Sequence, residues 1–138
     1  MRIRINEIQP IERYLARETV EYYLKNPGKI RKSKPRINIS HCSGQPFRFI
    51  AEDGNCRLYV LNRIGAKLIE LPESLVEKAE DANLALENYN SGLRSWSDFD
   101  EPFKGFPSRI ILEKERSRIY EALFDIPKNL DELLIWLR

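Results

Sequence analysis

The chain has 138 residues, 42% hydrophobic and 32% charged, the size and composition of one globular domain that buries a core of its own. Lys and Arg number 23 against 21 Asp and Glu, so a net charge of +2 gives no long-range field to draw in a polyanion, and any phosphate or nucleic-acid affinity has to be local. Cys42, Cys56 and the single His41 exclude a disulfide framework and a zinc site of the usual ligand count; no apolar run approaches the roughly 20 residues of a bilayer span, so a reducing cytoplasm and no membrane are expected.

The start, MRIRINEIQP, has no apolar leader region. Alternation over residues 2–8 predicts a first strand that ends at Gln9-Pro10. From Ile11 to Lys25 the apolar stripe is helical only if it breaks near Ala16, and Asn26-Pro27-Gly28 ends it. KIRKSKPR follows at 29–36, a basic loop that is either a solvated connector or a patch for the nucleic-acid backbone, with Lys29, Arg31, Lys32 and Lys34 as its contacts.

Ile37 and Ile39, the turn residues 43–46, and Phe47, Phe49 and Ile50 predict a β-hairpin that runs into Asp53-Gly54. Leu58, Leu61 and Ile64 then mark a helix from Asn55, closed by Gly65, and Lys67–Leu71 reads as a strand. Ser74 and Glu77 have capping-box spacing, which predicts a helix over 75–90. The loop 91–108, with Trp96, Phe99, Phe103 and Phe106, is long enough that it should either pack on the core or form a binding surface, and packing is favoured. Helices are predicted over 109–124 and, after Asn129, to Arg138, with Leu130, Leu133, Leu134 and Leu137 on one side. The fold class is therefore α+β, with a small mixed sheet and helices over 1–72, then a helical half over 73–138 that packs on the same domain or pairs with a second subunit.

Chemistry concentrates at Asp53-Gly54-Asn55-Cys56-Arg57, where a strand gives way to a helix. Glycine allows the sharp turn, the first helical amides form an anion site, and Arg57 offers a planar fork for phosphate. Asp53 either caps the helix or holds a magnesium ion, and Glu52 is an acidic candidate beside it.

Ile8-Gln9-Pro10, a helix, a strand and then FRFIAEDGNCRLYVLNRIGAKLIEL resemble the ParB/sulfiredoxin superfamily, where an I-x-P start, a D-G-x-H-R turn and a G-a-x-x-i strand recur in that order. The resemblance spans residues 3–72. It implies a nucleotide or phosphate ligand at Asp53, Gly54, Asn55, Cys56 and Arg57, ATP or CTP with magnesium as cofactor, and nucleotide hydrolysis or phosphoryl transfer. Glu12 resembles the early acidic base of serine-kinase members. Cys56 stands where the family has histidine, and a neutral thiol is a poorer donor to phosphate. Sulfiredoxin's G-G-C-H-R places its cysteine one position earlier, at Asn55 here, so its repair chemistry is not implied.

Two further readings stand beside nucleotide binding. One is a DNA-associated module in which the basic loop and Arg63 touch backbone phosphates. The other is a catalytically degenerate domain that binds a protein partner through the aromatic loop or the final helices. A concave pocket over Gly54 favours the nucleotide, and a filled turn favours the degenerate domain.

Overall fold

The structure, a computed structural model, describes residues 1–124; the helix expected after Asn129 lies outside them. The fold is α+β. A mixed three-stranded sheet runs in the order β2 (Ile8–Pro10), β5 (Phe49–Asp53), β4 (Asn38–His41), with β2 parallel and β4 antiparallel to the centre. Two smaller ladders flank it. β1 (Arg2–Arg4) pairs antiparallel with β6 (Leu68–Glu70), and β3 (Leu15–Ala16) pairs parallel with β7 (Ile110–Ile111). The helices are α1 (Arg17–Lys25), α2 (Asn55–Arg63), α3 (Asn83–Asn90) and α4 (Glu113–Phe124).

The single strand expected over 2–8 is two strands separated by a 3-10 turn at Ile5–Glu7. Strict alternation would put Ile8 on the face opposite Ile3 and Ile5. The turn resets the phase so that all three are buried, and it moves the chain from one ladder to the central sheet. The break near Ala16 is present: β3 precedes it and α1 begins at Arg17. The hairpin, α2 and β6 form where the pattern places them, and Gly65 follows the end of α2 with φ +94°.

The helix expected over 75–90 forms only from Asn83. Residues after a short turn at Glu73–Leu75 run extended beside β4 instead: His41 N–H donates to Glu77 O (2.9 Å) and Ala79 N–H to His41 O (2.9 Å), while Val76 is buried. Those bonds satisfy an otherwise open sheet edge, which outweighs the local helix signal. Capping-box geometry occurs later, at Ser95 and Asp98, around the 3-10 turn Trp96–Asp100. The helix expected from Arg109 starts at Glu113, because β-branched Ile110 and Ile111 pair with β3. Among the described residues, 73–124 are thus less helical than predicted.

Ile3, Ile8, Ile39, Leu58, Trp96 and Phe99 belong to one core, so the aromatic loop is packed down at its first two rings. Trp96 and Phe99 stack at 5.9 Å, and Trp96 Nε1–H donates to Ile5 O (3.0 Å), which joins the loop to the 3-10 turn between β1 and β2. Phe103 and Phe106 lie against Tyr14.

Candidate functional site

The turn after β5 is built tightly. Gly54 has φ +91°, and a Cβ placed there would stand 2.8 Å from Ile37 Cγ1, so only glycine fits both the backbone and the space. No side chain caps α2. Asp53 is exposed and Glu52 half-buried. Asn55 is buried, with Oδ1 accepting from Ile11 N–H (3.2 Å) and Nδ2 donating to Ala51 O (3.1 Å); it ties the end of β2 to β5.

Arg57 faces protein. Its guanidinium is buried and donates to Ser33 O (3.1 Å) and Pro35 O (2.6 Å), both in the basic loop. The planar fork expected to grip phosphate holds two backbone carbonyls instead. Asn55 and Arg57 are thus both engaged within the protein, and Ile37 lies against Gly54.

Cys56 points towards β3 and α4. Burial pushes its thiol up to about 11 from the usual 9, opposed by a hydrogen bond from the Ala16 backbone and by nearby Arg116. Glu12 and Glu113 push in the same direction as burial. Such a thiol is almost wholly neutral near pH 7, which argues against a nucleophile.

Glu12 is gripped from α4. Arg116 pairs with its carboxylate at 2.9 Å, and Tyr120 O–H donates to the same oxygen at 2.8 Å. Burial first, and then Glu12, pushes the Tyr120 hydroxyl up to about 12. Arg116 also donates from Nε to Tyr14 O (3.1 Å), and Glu18 accepts from Glu113 N–H (3.0 Å) at the start of α4. Glu12, Cys56, Arg116 and Tyr120 therefore form one half-buried cluster, from which Glu52 and Asp53 are absent. Neither Arg116 nor Tyr120 is a candidate site residue in the sequence, where Tyr120 reads as a core-facing position of the 109–124 helix. Their four-residue spacing, which puts both on one helical face, is the signal that points to them.

The basic loop turns on itself, with Ser33 Oγ donating to Lys29 O (2.9 Å) and Ile30 buried as its anchor. Lys29, Arg31, Lys32, Lys34 and Arg36 are all exposed. Among the described residues no ion pair includes any of them. The sequence contains no Asp or Glu between Glu21 and Glu52, and in space the acid Glu70 lines one cavity with Arg31 and Arg36. Arg63 does not join it. That side chain lies roughly 9 Å farther along α2 than Arg57 and donates to Tyr59 O–H (3.1 Å), whose hydroxyl in turn bonds Asp100.

No family model matches the chain, and no curated protein does. The crystal structure of protein Atu1540 from Agrobacterium tumefaciens is similar with a TM-score of 0.45 and 14% identity, over 94% of this chain and 71% of that one. A likeness of that degree carries no argument about function. No helix among the described residues is long and apolar enough to cross a membrane.

Proposed function

We propose that this chain is a nucleic-acid-associated binding module of ParB/sulfiredoxin-like descent, in which the loop 29–36 contacts backbone phosphates and the Asp53–Arg57 turn is its internal support. The observation that carries the reading is the Arg57 fork. A buried guanidinium holds the Ser33 and Pro35 carbonyls, which fixes a loop whose cations all face outward. A pre-fixed loop loses less conformational entropy when it meets a rigid polyanion. Phosphate contacts of this kind position the protein on the duplex without reading sequence.

Fluorescence anisotropy with a labelled duplex tests the reading. Binding is expected for the native chain and is expected to be lost when Lys29, Arg31, Lys32 and Lys34 are all changed to glutamine. Undiminished affinity in that variant overturns it.

A second reading, a nucleotide such as ATP or CTP with magnesium at the start of α2, has one specific observation in its favour. No side chain caps that helix, and Arg116 approaches its first turn at Cys56. Calorimetry with ATP, CTP and GTP plus magnesium separates the two. Binding that survives neutralisation of the loop but disappears in Arg116→Gln favours the nucleotide.

A further inference from the structure

A cavity of about 330 Å³ opens between β2, the tip of the β4–β5 hairpin and the C-terminal end of α3, and it shares no residue with the basic loop or the Cys56 cluster. Phe47 and Tyr89 form an aromatic wall, their ring centroids 5.9 Å apart, and Ile8 adds apolar surface. Arg94 lies with its guanidinium 4.2 Å from the Tyr89 ring centroid and is anchored by Nε–H to Tyr89 O (3.0 Å). Arg48 comes from the hairpin, its guanidinium 5.7 Å from the Phe49 ring.

Neither arginine is in an ion pair among the described residues, and Glu7 is the sole acid in the lining. The lining thus holds two cations and one carboxylate, with Asp98 as a further acid beside it, accepting from the Arg94 backbone N–H (2.9 Å). The anchor at Tyr89 leaves the remaining N–H groups of Arg94 directed elsewhere, and a guanidinium offers carboxylate or phosphate a two-point contact.

Gln9 supplies an independent observation. Its side chain is 2% exposed, and its amide orientation is fixed because Nε2 donates to Leu93 O (2.7 Å) and Pro10 O (3.3 Å). Oε1 accepts no hydrogen bond from the described residues, and Gln9 is part of the cavity lining. A buried amide whose two donors are used keeps capacity to accept one N–H or O–H, from water or from a ligand.

We propose that this cavity binds a small planar anion bearing an N–H donor, a heteroaromatic carboxylate or phosphate. Arg48 and Arg94 hold the anionic group, the ring lies against Phe47 and Tyr89, and Gln9 Oε1 accepts the N–H. The volume suits a ligand of one or two rings, at the lower end of the usual range for small-molecule sites.

NMR titration of the full chain tests this, with orotate and indole-3-acetate as carboxylate probes, the four nucleoside 5′-monophosphates as phosphate probes, and inorganic phosphate and acetate as ring-free controls. At least one ring-bearing probe should shift Phe47, Tyr89 and the Gln9 side-chain amide. Arg48→Gln and Arg94→Gln, at exposed positions, should each weaken it by about tenfold, while Glu7→Gln should tighten it severalfold by removing the opposing charge. Whichever probe series responds names the anionic group. The proposal is overturned if no probe perturbs these residues, if both arginine variants bind unchanged, or if inorganic phosphate or acetate binds as well as any ring-bearing probe. The variant with the basic loop neutralised should behave like the native chain, so this result and the nucleic-acid result fail separately.

Discussion

Replacing Arg57 by alanine leaves the Ser33 and Pro35 carbonyls without their charged donor and opens a gap beneath the loop. A hydrogen bond to a charged group contributes about 1.5–3 kcal/mol, so a loss of about 3 kcal/mol is expected in urea denaturation. On the proposed reading nucleic-acid affinity should fall as well, because the loop that Arg57 fixes becomes mobile. Arg57→Lys keeps the charge but not the fork and should recover only part of both. At Gly54 the left-handed backbone and the 2.8 Å approach of Ile37 act together; Gly54→Ala should cost about 1–3 kcal/mol by the same measurement. Cys56, with its thiol pushed up to about 11 from 9, carries about 100-fold less thiolate near neutral pH than an unperturbed cysteine. Iodoacetamide followed by mass spectrometry should find Cys56 alkylated about tenfold or more slowly than a free thiol, since the higher nucleophilicity of a more basic thiolate offsets part of that factor. Labelling of Cys56 at the rate of free cysteine would contradict its half-buried placement.

At the scale of elements, α4 is held beside β3 by Glu12, and that contact has a pH signature. Tyr120 and Tyr59 both have hydroxyls pushed up from about 10 to about 12, mainly by burial, so each binds its proton more tightly in the folded chain. A group whose folded value is raised contributes stability that is complete below its unfolded value and lost as pH climbs through the folded one. Stability should therefore decline between about pH 10 and about pH 12, and Tyr120→Phe should flatten part of that decline while lowering stability at neutral pH. Thermal melts across that range check both effects. The elements that carry strong local marks were legible in sequence: Gly54 and Gly65 bracket α2, and alternation marks the hairpin. Those that depend on distant partners were not. The 76–79 segment is extended because it covers the edge of β4 at His41, and β7 exists because β3 lies beside it. The start of β2 depends on where Ile8 must be buried, which alternation along residues 2–8 cannot show. The turn was legible as a structural feature, but the partners of Arg57 come from a loop far back in the chain, and those of Glu12 from the last described helix.

At the scale of the whole molecule, near-neutral charge conceals segregation. The stretch between Glu21 and Glu52 carries cations only, and the acids that balance it lie elsewhere in the chain. Binding that rests on such a patch depends on salt, since each phosphate neutralised releases condensed counterions. The most direct test is duplex affinity measured as salt rises from about 50 to about 200 mM, for the native chain and for the variant with Lys29, Arg31, Lys32 and Lys34 changed to glutamine. With about four phosphates engaged, native affinity should fall by roughly 100-fold over that range, and the variant should show neither that affinity nor that slope. Native binding that is insensitive to salt, or a variant that keeps the native slope, would contradict the assignment of the loop as the contact.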